Sequence, residues 1–387
     1  MHARLISALA LTLLLGGCAA AAPAGQAGQI SVTEALRNTG SAGFAKATEP
    51  RAFRFPQDHG PHQEYATEWW YYTGNLSDAS GRRFGFQLTF FRIGLTPAPV
   101  QRASDWGAAN IYMAHFALSD IEGERIFAFD RFSRDAAGLA GAQGDPFRVW
   151  LEGWRAEGPP GAALPMRLQA AQGDAAIDLT LGGGKPPVLQ GDRGLSQKSA
   201  EPGNASYYYS LTRMPTSGSV RVAGETFAVT GLSWMDREWS TSLLAENVAG
   251  WDWFALQLDD GRDLMYFQLR QRGGGADAYS SGALIDAAGA SAALRRDDTQ
   301  LEVLGSWQSP RTGARYPAGW RLRVPSQSLD LTITPALAEQ ELVLATIYWE
   351  GAVTISGTAG GQPIAGRGYV ELTGYSERGQ DDSVRVR

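Results

Sequence analysis

Two stretches of this 387-residue chain bring together side chains able to move protons. The first, FPQDHGPHQEYATEWWYYTG, sets Asp58, His59, His62, Glu64 and Glu68 close together. A His-x-x-His pair beside a carboxylate can ligate zinc, and His59 next to Asp58 can act as a general base. Gly60 and Pro61 put the pair on a turn, without the helix that aligns ligands in zinc proteases. A third reading is therefore open: polar residues that cap and bond a loop plugging one end of a barrel. The second stretch is GLSWMDREWS. On a strand, Trp234, Asp236 and Glu238 share one face, with Met235, Arg237 and Trp239 on the other. If Trp234 points into a lumen, so does Asp236. A carboxyl in a poorly hydrated aromatic cavity keeps its proton and becomes a possible donor. Arg237 could instead pair with a carboxylate and hold it ionised, and a buried Asp bonded to backbone at a barrel rim is the plain structural alternative.

The elements that carry these residues occur twice. WWYYTGNLSDASGRRFGF from Trp69 returns as WDWFALQLDDGRDLMY from Trp251, matching Trp69, Leu76, Asp78, Gly81 and Arg82 with Trp251, Leu258, Asp260, Gly261 and Arg262. Further on, Arg167 answers Arg321 and the run Ile177 to Leu181 answers Leu329 to Ile333. Gly231-x-x-Trp234-Met235-Asp236 closes the first copy and Gly366-x-x-Tyr369-Val370-Glu371 the second. Matches that keep their order over so long a stretch argue for a duplicated domain rather than a short-period solenoid.

Each copy is made of short runs rich in Trp, Tyr, Phe, Val and Thr, broken by Asp, Gly, Ser and Pro, which is the texture of antiparallel strands. Phe84, Phe86, Leu88 and Phe90 give one strand an apolar face. Helical signals are confined to Thr33–Arg37 and Pro335–Glu341. A meander of this length must leave open edges or close on itself. The expected fold is all-β, two tandem lipocalin-like antiparallel β-barrels packed side by side, and barrels of this size hold one modest ligand. The expected boundaries are a leader over 1–17, a flexible tether over 18–52, and barrels over 53–240 and 241–387.

Arg4, the apolar run Leu5–Leu15 and Leu15-Gly16-Gly17-Cys18 read as a lipoprotein signal peptide with a lipobox. Cys18 is the chain's only cysteine and cannot staple the fold, so lipid attachment explains its presence; an ordinary signal peptide cut in the following Ala-rich stretch is the alternative. Ala19, in place of the Asp linked with inner-membrane retention, leans toward the outer membrane on the periplasmic side. The formal net charge is −6, and loss of the leader removes Arg4 as well. An acidic chain without basic clusters is not built for nucleic acid. Gly182-Gly183-Gly184-Lys185 is followed by Pro186 rather than Ser or Thr, so it is no phosphate loop. No G-x-S-x-G nucleophile elbow is present.

Taken together, FPQDHGPHQEYATEWWYYTGNL, FGFQLTFFR, GLSWMDREWS and GRGYVELTGY resemble the secreted AttH-like proteins and the carotenoid 1,2-hydratases (hydroxyneurosporene synthases) across essentially the whole mature chain. The resemblance implies a tandem lipocalin-like fold, which natural-product pericyclases are similar in sharing, so the fold does not fix the reaction. It also implies a mechanism in which an aspartic acid protonates a terminal alkene and water captures the tertiary cation. Asp236 stands where that acid does. The family pattern has Tyr at the place of Trp234, and a His and a Trp on an earlier strand at positions aligned with Tyr207 and Tyr209.

Three functions follow as expectations. In the first, the chain is a hydratase-like enzyme acting on an apolar isoprenoid-like molecule, with Asp236 as acid, Trp234, Tyr207 and Tyr209 lining the site, and Trp69, Trp70, Trp251, Trp253 and Glu238 binding substrate. Glu371 is the counterpart of the acid in the second copy. In the second, it is a lipid-tethered carrier of a hydrophobic ligand; in the third, a hydrolase using the Asp58/His59 region. No cofactor or resident metal is expected, and the expected partners are a hydrophobic small molecule and a membrane reached through the lipid on Cys18.

Overall fold

The computed structural model describes residues 42–97, 106–241 and 244–376. Cys18, the leader, the Thr33–Arg37 signal and most of the expected tether lie outside the described residues. Residues 42–52, expected as tether, instead lie against the barrel: Phe44 and Ala47 are buried, and Ala45 bonds through its backbone to Glu64 and Thr241. Pro335–Glu341 forms no helix, because Pro335 ends the strand Leu329–Pro335, where it pairs with Val353.

The described fold is built from antiparallel strands, with 3-10 turns and no α-helix. In the first half, strands Thr67–Ser77, Arg83–Gly94, Asn110–Asp120 and Arg125–Arg134 form a meander. The chain returns through a long hairpin, Ala205–Val222 and Glu225–Ser240, whose last strand pairs with the first, Thr67 opposite Ser240. Short strands between Ala140 and Leu181 carry the sheet round from the other side of the hairpin until Arg148–Leu151 approaches the meander. The sheet thus rolls into a nearly closed lipocalin-like barrel and shields edges that would otherwise be exposed. The second half repeats the plan. Val248–Leu258 and Asp263–Gln271 open a meander, and the hairpin Ile347–Ala359 with Gln362–Leu372 returns to pair with Val248–Leu258.

The duplication is preserved in register and contacts. Asp236 lies opposite Tyr71, as Glu371 lies opposite Trp253. Gly81 and Gly261 occupy equivalent turns at φ +91° and +87°, left-handed conformations that favour glycine. The Arg167–Asp178 pair at 2.7 Å recurs as Arg321–Asp330 at 2.6 Å. Between the halves, Asn75 Nδ2 donates to the Gly368 carbonyl, and its counterpart Gln257 Nε2 donates to the Ser233 carbonyl. The two sheets therefore meet through a pseudo-twofold exchange.

Alternation along each strand decides what goes where. Trp70, Tyr72 and Leu76 pack inside the first barrel with Phe84, Phe86, Leu88 and Phe90. Phe254, Leu256 and Leu258 fill the second. Their neighbours Trp69, Tyr71, Trp251, Trp253 and Ala255 point the other way and form a third apolar cluster between the barrels.

Candidate active site

The third cluster encloses the cavity that matters. It measures about 90 Å³, counted as the space the centre of a water molecule can occupy, and is bordered by both halves of the chain. That is room for a branched hydrocarbon end together with water. Trp69, Tyr71, Phe91, Trp251, Trp253 and Phe267 supply its aromatic wall.

Asp236 reaches this cavity from the middle of the Glu225–Ser240 strand and is 4% exposed. It does not face the lumen of the first barrel, as expected from the sequence. The lumen receives the opposite side of the same strand, Met235 and Trp239, while Trp234 and Asp236 face the second barrel. Asp236 Oδ1 accepts from Ser210 Oγ at 2.6 Å and from Trp234 Nε1 at 2.7 Å; Oδ2 accepts from the Tyr208 hydroxyl. Tyr208 in turn accepts from Trp253 Nε1 of the second half at 3.1 Å. Burial pushes the Asp236 carboxyl up to about 7, against the pull of its three donors, and the nearby Glu238 adds to the rise.

When Asp236 holds its proton on Oδ2, that proton donates to the Tyr208 oxygen, which has lone pairs for both it and Trp253. The Tyr208 hydroxyl hydrogen is then free to turn into the cavity that the ring borders. Asp236 and Tyr208 thus form a short proton path from a dry acid to an apolar guest.

Tyr207 and Tyr209, expected beside the acid, belong to the first barrel's interior. The cause is register. Ser210 lies opposite Asp236 in the sheet, so Ser210 and Tyr208 share its face while Tyr207 and Tyr209 point away. Tyr207 bonds to the Glu49 carbonyl and Tyr209 to His59 Nδ1. Trp70 is likewise inside the barrel, under the Arg237 guanidinium at 3.9 Å. Trp69, Trp251 and Trp253 do border the cavity, as does Glu238, which is paired with Lys198 at 3.2 Å and bonded to Ser206. Tyr208 and Ser210 were missed because register is a tertiary property. Glu350 had a faint signal, since Tyr208-Tyr209-Ser210 returns as Tyr348-Trp349-Glu350.

This placement makes Tyr208→Phe informative. It leaves the Trp253 N–H and one Asp236 oxygen short of a partner, at a cost of about 1–3 kcal/mol, and raises the carboxyl's pKa further. Tyr207→Phe leaves the carboxyl's ionisation unchanged. Infrared titration of the buried carboxyl checks both, and an Asp236 indifferent to Tyr208→Phe refutes the assignment.

The histidine-rich loop forms a separate cluster. His59 sits among Phe55, Phe147 and Tyr209, and burial, with the charge of Arg237, pushes its ring down to about 4. It is a poor base at neutral pH. His62 stacks on Trp239 at 3.7 Å, with Nε2 3.1 Å from Asp58 Oδ1 and Nδ1 3.2 Å from Arg237 Nη2. Both of its ring nitrogens are engaged. Among the described residues no group of three or more His, Cys, Asp or Glu is arranged to hold a metal ion. Glu68, wholly buried, bonds Arg92 and Arg237 and accepts from the His62 backbone N–H, which pins the loop to the barrel.

The AttH-like family profile matches residues 46–375. The chain is similar to an AttH structure from Nitrosomonas europaea, with 36% identity, 86% of this chain and 100% of that one covered, and a TM-score of 0.76. Kievitone hydratase from Nectria haematococca shares the fold at 15% identity, with 86% and 98% covered and a TM-score of 0.65. CghA does so at 14% identity, with 87% and 98% covered and a TM-score of 0.53. No curated protein matches the chain.

Proposed function

The chain belongs to the AttH-like family, and from that premise and the buried acid we propose that it is a hydratase-like enzyme that protonates an alkene of an apolar, isoprenoid-like molecule. The observation that carries this reading is Asp236, held near neutrality beside an aromatic cavity that its hydrogen-bond donor Tyr208 also borders. Proton transfer to the alkene gives a tertiary cation, which water captures. The ring faces of Trp69, Trp251 and Trp253 suit that cation. So does the charge of the cavity, since four carboxyl groups and one ammonium border it. Kievitone hydratase, of like fold, carries hydration in its name. The Leu15-Gly16-Gly17-Cys18 box supports export and a lipid anchor on Cys18, toward the periplasmic face of the outer membrane, where membrane-dissolved substrate is at hand.

The test begins with extraction of apolar molecules from protein purified out of its own membrane. The extracted molecule and a set of acyclic isoprenoid alkenes are then incubated with the protein in oxygen-labelled water. A labelled tertiary alcohol is the expected product. A bound hydrocarbon that never gains label overturns the enzyme reading in favour of a carrier. Because the protonated acid is the active form, the rate of alkene protonation, read as exchange of solvent deuterium into the alkene, is expected to be flat in mild acid and to fall about tenfold per pH unit above about 7. A rate that rises through that range contradicts an acid role for Asp236.

A further inference from the structure

The wall facing Asp236 comes from the second barrel and carries its own pair of carboxyls. Glu371 is the repeat counterpart of Asp236, and Glu350, the counterpart of Ser210, lies directly opposite it on the neighbouring strand. Both border the cavity. Cross-strand neighbours of this kind have Cβ atoms roughly 4.5–5.5 Å apart. Glu350 is wholly buried; its Oε2 accepts from the Tyr71 hydroxyl at 2.9 Å, and its Oε1 has no partner. The Tyr369 hydroxyl, also buried, is unpartnered as well. Such orphaned groups are costly unless a ligand or water meets them.

We propose that Glu350 and Glu371 form a second proton-handling station, sharing one proton and serving as the base that activates the attacking water. This rests on the hydration reading above. The chemistry balances: Asp236 gives its proton to one alkene carbon, and the water oxygen bonds to the other. The water's surplus proton passes to the ionised member of the glutamate pair. Return of that proton to Asp236 through solvent completes the addition of one water to one alkene. A single carboxylate cannot easily do both tasks, since it must be protonated before the first step and is tied by three donors after it.

Burial and mutual repulsion keep Glu350 and Glu371 from ionising together, and burial pushes the first ionisation, at Glu371, up to about 8, so the singly protonated, basic form of the pair builds up as pH approaches that value. The groups facing them are Asp236, Glu238 and the Tyr71, Tyr348 and Tyr369 hydroxyls, with Lys198 the cation on the cavity wall. Lys198 is already paired with Glu238. Among the described residues no other cation borders the cavity, so the need for the shared proton stands.

Two measurements on the purified protein decide the matter. Infrared difference spectra of wild type against Glu371→Gln and Glu350→Gln, taken just above about pH 8, are expected to show one protonated carboxyl held by the pair. Two ionised glutamates, or two that both stay protonated at that pH, overturn the proposal. With squalene as probe alkene in heavy water, wild type is expected to exchange deuterium into the alkene and to form alcohol. Asp236→Asn loses both. Glu371→Gln keeps exchange but loses alcohol by at least about a hundredfold. Glu371→Gln that makes alcohol at the wild-type rate overturns the base role. A wild type inert towards squalene counts against the hydration reading instead, and the infrared result still decides whether the pair shares a proton. Near-ultraviolet circular dichroism confirms that the variants fold.

Discussion

Asp236→Asn is expected to lower turnover by roughly 10²–10⁴-fold in a protein that is more stable than wild type at neutral pH and still binds its ligand. The substitution is nearly isosteric. The amide oxygen can accept from Ser210 and Trp234, and the amide N–H₂ can donate to a Tyr208 oxygen that already accepts from Trp253. What is lost is the transferable proton. The stability gain follows from linkage. The folded Asp236 titrates at about 7 and an unfolded one near the ordinary aspartate value of 3.8, so the wild-type fold loses stability as pH rises between those values. Above about 7 the accumulated cost is on the order of 4 kcal/mol. Asparagine does not pay it, so the variant's advantage opens above pH 4 and levels off past 7. Melting curves across that range, alongside product analysis, test both halves. A variant that keeps its turnover removes Asp236 as the acid, and one that melts lower than wild type throughout denies that the acid is strained by burial.

How much of this could be read in advance depends on whether a feature is local. The strand containing Phe84, Phe86, Leu88 and Phe90 follows from alternation, and those four residues do face one core. The Asp78–Gly81 turn follows from side-chain chemistry, and Asp78 Oδ1 accepts from the Ser80 and Arg82 backbone. Even the equivalence of Asp236 and Glu371 was visible in the repeat. Alternation, however, says only that Tyr207 and Tyr209 share a side; choosing that side over the one used by Tyr208 needs the pairing of Ser210 with Asp236. Trp69 and Trp70 present the same difficulty, since adjacent aromatics must diverge and nothing local says which goes to the cavity. Alternation also cannot tell a lumen from a junction. Both faces of the Glu225–Ser240 strand are buried near Asp236, one by its own barrel and one by the other copy, so an apolar strand face looked like a lumen wall.

The largest stability effect is expected at the buried charge network rather than at the site. Glu68→Ala leaves Arg92 and Arg237, both wholly buried, without the carboxylate that neutralises them, and frees the His62 backbone N–H. Breaking a buried pair from one side costs about 3–5 kcal/mol. Removal of the partly exposed Arg167 costs less than about 1 kcal/mol. Burial pushes Glu68 up, but the guanidinium groups of Arg92 and Arg237, with His62, outweigh it and hold the carboxyl well below its ordinary range. For a depressed acid the stabilisation is complete above the unfolded pKa and is lost as pH falls through the folded one. The gap between wild type and Glu68→Ala is therefore expected to be full at neutral pH and to shrink in strong acid. Denaturant unfolding at several pH values measures it. A gap that stays small at neutral pH would show that water reaches the two arginines. The result bears on chemistry as well, because Arg237 and Asp236 are adjacent on one strand. The network that fixes Arg237 in the barrel also fixes the orientation of Asp236 on the other side of the sheet.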